Sequence, residues 1–177
     1  MGDPPINRPL IIRVVGKKKS GKTTFMEKLL PELARLGVRV ATVKHDTHGF
    51  EMDREGKDSW RHKRAGAAAS AVCGPDQVAL VKSVAREPSL AELARDYFAD
   101  MDLVLAEGFF RSPGLMIEVF RPEAHTAPLC AEHGPEKGLL ALISDAPLDL
   151  GAPRFGLDQA REVAEFIFRE VLGRDAP

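Results

Sequence analysis

The stretch VVGKKKSGKTT, residues 14–24, decides the fold. From Gly16 to Thr23 it reads G-x-x-x-x-G-K-T, the spacing of a phosphate-binding loop. Its flanks agree. The apolar run Leu10 to Val15 reads as a strand before it, and Phe25, Met26, Leu29, Leu30, Leu33 and Leu36 recur at helical spacing behind it, with Gly37 as the stop. Gly16 and Gly21 allow a tight turn in which the N–H groups of Lys17, Lys18, Lys19, Ser20, Gly21 and Lys22 converge on one anion, at the positive end of the following helix. Lys22 is then placed to reach the terminal phosphates, and the Thr23 hydroxyl to hold Mg²⁺. A solvated basic turn would account for the lysines at 17–19 but not for the glycine spacing. Pro31 removes one backbone hydrogen bond at a cost of about 3 kcal/mol, so a kink or a break into two short helices is expected there.

Around this stretch the chain is ordinary. Its 177 residues fit one nucleotide-binding domain, 1–177, with a loose arm at 1–9. A composition of 44% hydrophobic and 29% charged residues is that of a soluble protein. The net charge of -1 argues against a surface built to grip nucleic acid but leaves room for a local basic patch. With no signal-peptide pattern and no apolar run near the ~18 residues that span a bilayer, no membrane association and a cytoplasmic address are expected. Cys73 sits in an apolar stretch and reads as a buried thiol, while Cys130 and His133 form a C-x-x-H pair with too few ligands for a metal site.

Val38 to Lys44 reads as a second strand. The polar segment 45–66 that follows is where a functional loop would sit. Ala67 to Val72 and Gln77 to Val81 form a hairpin through Gly74-Pro75-Asp76. Ser89 and Glu92 make a capping box for a helix ending near Ala99. Leu103 to Ala106 is a wholly apolar strand of the kind buried on both faces, with Leu115 to Phe120 and Leu139 to Ile143 beyond it. Asp158 is read as the cap of a final helix. The alternation predicts an α/β P-loop NTPase-like sandwich with a mainly parallel sheet and at least one antiparallel strand pair.

A phosphate-binding loop of this kind needs an acid at the end of a neighbouring apolar strand to serve Mg²⁺. Glu107 in DLVLAEGFF (102–110) has that position, and Asp46, just past the second strand, is the second candidate. Asp102 opens its strand at the wrong end and reads as structural. Between 54 and 64, five basic residues (Arg54, Lys57, Arg61, Lys63, Arg64) stand against Glu55 and Asp58. They are either a solvated helix face or an anion-binding surface for a second phosphate-bearing ligand or an acidic partner. His45, His48 and His62 do not define a metal site by spacing. Trp60 reads as a packing anchor. Asp145, late in the chain at a strand end, is one acid that could pair with guanine N1–H and the 2-amino group.

These residues resemble the molybdopterin-guanine dinucleotide biosynthesis adapter family, MobB. The resemblance rests on the loop at 16–23, on VKHDTHGFEMDREGKDSWRHKRAGA at 43–67, and on LVLAEGFF at 103–110 with MIEVFR (116–121) behind it. It covers most of the chain from Leu10 to Asp145. It implies a GTP-binding protein with weak GTPase activity, commonly dimeric, that assists the guanylyltransferase attaching GMP to molybdopterin. Carried over by position, Gly16, Gly21, Lys22, Thr23 and Thr24 bind phosphate and Glu107 serves Mg²⁺. Molybdopterin contact through Arg54 to Arg64 is a further implication. Lysines at 17–19 and Pro31 depart from the familiar pattern without touching its key positions. No arginine finger or water-orienting glutamine stands out, which fits slow turnover. Two other readings remain open: a small P-loop kinase with a basic lid at 53–64, and a GTPase that delivers a metal through His45, His48 and Cys130.

Overall fold

The computed structural model describes residues 9–133 and 138–175. The proposed arm at 1–9 thus lies outside the described residues but for Pro9, as does the side chain of His133. The chain falls into two compact units, one comprising residues through His45 and from Leu90 onward, the other spanning Asp46–Ser89.

The first unit holds six parallel strands: β1 (Leu10–Val15), β2 (Val40–Lys44), β5 (Leu103–Glu107), β6 (Leu115–Val119), β7 (Leu139–Ile143) and β8 (Arg154–Phe155). Their spatial order is β2-β5-β1-β6-β7-β8. Parallel neighbours need crossovers, and the crossing helices cover both faces. Against one face, α1 (Lys22–Arg35) and α5 (Ala160–Phe166), which runs on into a π-helical turn at Ile167–Val171, bury Phe25, Leu29, Leu33, Val163 and Ile167 on Ile12, Val14, Leu103, Leu105 and Ile117. The other face packs Val104 and Ala41 against Ala94 of α3 (Leu90–Tyr97), and Val15 and Met116 against Cys130 of α4 (Leu129–His133). Leu103, Val104, Leu105 and Ala106 are therefore all buried, which is why that strand carries no alternation.

Helix α1 is not broken at Pro31. Pro31 is exposed, as is Glu27, whose carbonyl loses the bond that a residue-31 N–H would supply. Water can satisfy that carbonyl while Leu29 and Leu33 hold the buried face. The helix ends where Gly37 takes φ +74°, with Gly37 N–H donating to Ala34 O and Val38 N–H to Leu33 O, a Schellman closure. The last helix departs from its expected start. It begins at Ala160, Gln159 precedes it without a side-chain cap, and Asp158 instead pairs with Lys28 at 2.6 Å.

The second unit contains α2 (Asp58–Arg64) and the antiparallel hairpin β3 (Ala69–Cys73) and β4 (Val78–Lys82), closed by Gly74 N–H to Gln77 O at 2.8 Å. Lys63 ties α2 to the hairpin by donating to Ala67 O, Ala68 O and Ser83 Oγ. Cys73, expected to be buried, is exposed. A two-stranded ribbon has no second layer of its own, so an apolar composition does not bring burial with it.

Candidate functional site

The C-terminal ends of β1, β5, β6 and β7 gather the candidate residues of the first unit. Gly16 leaves β1 at φ +145°, and a Cβ there would stand 2.4 Å from Val119 O and 2.6 Å from Ser20 Oγ, so only glycine fits. Lys19 adopts a left-handed φ of 67°, and Gly21 follows at +95°. Alternating right- and left-handed backbone of this kind turns successive N–H groups inward as a nest. Ser20 is buried, its N–H donates to Lys17 O, and its Oγ has no partner among the described residues.

Lys22 begins α1 and folds back over the loop, donating to Gly16 O at 2.9 Å and Lys17 O at 3.0 Å. Its pKa is pushed below the ordinary 10.5, chiefly by burial; Glu107 opposes the shift and Lys44 adds to it. Thr23 Oγ1 donates to Glu107 Oε1 at 2.9 Å. The contact follows from register, since Glu107 ends β5 opposite Val14 of β1 and Lys44 of β2. A hydroxyl and a carboxylate oxygen at one strand end, with no nitrogen or sulfur ligand between them, suit a hard divalent cation such as Mg²⁺. Thr24 is exposed on the first turn of the same helix.

Asp145 lies exposed just past β7, where Oδ1 accepts from Leu157 N–H at 3.0 Å. Asp46 opens the second unit and accepts from His48 N–H through Oδ1. In that unit the basic stretch is mostly exposed: Arg61 stands 3.8 Å from Asp58, Arg64 lies over the Trp60 ring at 5.4 Å, and Lys63 is used within the fold. His45 stacks on Phe109 with ring centroids 4.5 Å apart. No group of three or more potential ligands poised for a metal ion occurs among the described residues.

Four residues enter that the sequence reading left out. Arg13, buried inside β1, donates to Phe109 O, Phe110 O and Gly114 O, and so anchors the loop that follows Glu107. Lys44 shares with Glu107 the face on which α1 lies. Arg121, two residues past β6, sits beside Gly21, with Nε 3.2 Å from the place a Cβ would take. Glu118, buried in β6, accepts from Leu129 and Cys130 N–H and fixes the start of α4, which carries Glu132 to an ion pair with Lys17. A charged residue within an apolar strand was the available signal for Arg13 and Glu118; strand-end position was the signal for Lys44 and Arg121.

A parallel sheet in this order, with a glycine-bounded lysine loop between β1 and α1 and an acid ending the adjacent β5, defines an α/β protein with its candidate site at the strand ends. A family model of molybdopterin guanine dinucleotide synthesis protein B matches residues 11–145. The chain belongs to this family, MobB. It is 35% identical over 164 residues to the molybdopterin-guanine dinucleotide biosynthesis adapter protein of Haemophilus influenzae, covering 91% of this chain and 89% of that one. The Escherichia coli adapter protein is 32% identical over 154 residues, covering 84% and 85%. The crystal structure of Bacillus subtilis MobB superposes with a TM-score of 0.71 at 30% identity, covering 89% of this chain and 95% of that one.

Proposed function

We propose that this chain is a GTP-binding adapter of molybdopterin-guanine dinucleotide biosynthesis, which with Mg²⁺ assists the guanylyltransferase that attaches GMP to molybdopterin and hydrolyses GTP only slowly. The observation that carries the nucleotide part is the joint placement of Lys22 over the loop carbonyls and of Thr23 against Glu107 at 2.9 Å. The names of the relatives support the pathway. In this reading Gly16 and Ser20 shape the turn, Ser20 through its N–H to Lys17 O, Lys19, Gly21 and Thr24 supply backbone N–H groups to phosphate, and Lys22 exchanges its two carbonyls for phosphate oxygens. Thr23 and Glu107 hold Mg²⁺, directly or through its waters, and the cation would neutralise charge on the terminal phosphates. Asp145, with Oδ1 committed to Leu157 N–H, keeps a second oxygen for the guanine edge.

The same reading places the protein in the cytoplasm, and no helix among the described residues is long and apolar enough to cross a membrane. A homodimer is favoured by the exposed apolar side chains of the second unit: Phe50, Met52, Val72, Val78 and Leu80. The basic stretch 54–64 is the surface offered to molybdopterin or the transferase. Titrating the protein with GTP, GDP and ATP, each with and without Mg²⁺, tests the nucleotide part. Mg²⁺-dependent binding of GTP in preference to ATP is expected, and the absence of any nucleotide binding would overturn it.

A further inference from the structure

Arg121 occupies a place where a cation is out of keeping. It continues β6 with the parity of Ile117 and Val119, which face α1, and its side chain runs along the start of that helix. The guanidinium lies over Gly21, with Nε 3.2 Å and Cζ 3.6 Å from the position of an added Cβ, so that glycine leaves room for the plane as well as for its own φ of +95°. Nε is closed to solvent and has no hydrogen-bond partner among the described residues. The surroundings are positive: Lys17, Lys18, Lys19 and Lys22 stand in the adjoining loop, and the helix N-terminus adds its partial charge. Asp158 feels Arg121, but its pKa is held down first by the hydrogen bond from Lys28 and only last by Arg121. A buried, unpaired guanidinium nitrogen in such a field is unfavourable unless an anion completes it.

Resting on the nucleotide reading above, we propose that this anion is the α-phosphate of the bound nucleotide. Strand order sets the choice. The Thr23–Glu107 pair marks the metal side of the loop at β5, Asp145 marks the base side beyond β7, and Arg121 stands just past the end of β6 between them. A nucleotide laid along the strand ends passes its terminal phosphates over β5 and β1 and its α-phosphate over β6. A planar guanidinium suits that position because it donates two parallel bonds to phosphate oxygens.

The test compares wild type, Arg121→Ala and Arg121→Lys. It uses calorimetric titrations with Mg²⁺ and GTP, GDP or GTP bearing sulfur on the α-phosphate, together with melting temperatures in the absence of nucleotide. Arg121→Ala should weaken GTP and GDP alike by ~10- to 100-fold, the value of a charge-assisted contact, and Arg121→Lys should recover part of it. The nucleotide-free protein should melt at the wild-type temperature or higher, because a cation in a positive field has been removed. Sulfur on the α-phosphate should weaken wild type and add nothing to the loss in Arg121→Ala. Wild-type GTP affinity in Arg121→Ala, a nucleotide-free melting point several degrees lower, or an equal sulfur penalty in both proteins would each overturn the assignment. A wild-type protein that binds no nucleotide would overturn the P-loop reading itself, an outcome distinct from failure at Arg121 alone.

Discussion

Replacing Lys22 with alanine removes a cation that the loop secures through Gly16 O at 2.9 Å and Lys17 O at 3.0 Å. Against a phosphate charge about 4 Å away, at an effective dielectric of ~20, that cation contributes about 4 kcal/mol. Its partial exposure, and a Mg²⁺ held at Thr23 and Glu107 as proposed, would screen some of this, so GTP affinity should fall by ~10² to 10³. The fold should barely notice. Two charge-assisted hydrogen bonds are lost, but so is the desolvation of a half-buried ammonium, the same burial that lowers its pKa. The melting temperature without nucleotide should move by no more than ~2–4 °C. Proton linkage gives a second reading. The lowered pKa means that charged Lys22 costs the free fold some stability below that pKa, a cost that fades as pH rises towards 10.5. Phosphate binding needs the charged form, so affinity for inorganic tripolyphosphate, which has no nucleobase to ionise, should fall as pH rises through the lowered Lys22 pKa, before the ordinary 10.5 is reached. Lys22→Arg, which stays charged there, should flatten that fall. Calorimetry and thermal melts on the wild type and both variants supply the readings. GTP affinity within a few-fold of wild type in a folded Lys22→Ala protein would refute the reasoning.

Glu107→Gln should keep nucleotide binding but lose its Mg²⁺ dependence, as read by titration with and without the cation; wild-type behaviour in both would make Glu107 a bystander. Asp145→Ala should remove a preference for GTP over ATP of about 2–3 kcal/mol if the carboxylate receives the guanine edge in a closed site, and competition between the two nucleotides measures it. Reversing Arg61 and Arg64 to glutamate should leave GTP affinity within about twofold while abolishing stimulation of the transferase, with the wild-type stimulation weakening as salt rises. A double reversal that stimulates normally would reduce the stretch to a solvated surface.

The glycines, the strand before the loop, the helix that Lys22 opens behind it and the neighbouring β5 are legible because each meets a local demand: a φ that only glycine tolerates, a helix period, a run buried on both faces. Glu107 could be placed because a parallel strand's last residue falls beside the loop once β5 lies next to β1. What local pattern could not encode was pairing across the sheet. Arg13 reads as an intrusion in an apolar strand until the carbonyls of Phe109, Phe110 and Gly114 are brought to it. Arg121 has no meaning until β6 is set beside β1. Pro31 leaves α1 unbroken because its cost depends on whether the orphaned carbonyl faces water, which tertiary packing decides. Asp158 reads as a cap by residue type alone, which does not reveal that Lys28, 130 positions away, pairs with it. Cys73 has apolar neighbours in sequence, but in a two-stranded ribbon apolar composition does not bring burial.

The most direct measurement of the central claim is the rate at which the guanylyltransferase forms molybdopterin-guanine dinucleotide from GTP and molybdopterin, with and without this chain. The wild-type protein should raise that rate and the Lys22→Ala variant should not. No stimulation by the wild type, or equal stimulation by the variant, would contradict an adapter that acts through nucleotide bound at Gly16 to Thr23.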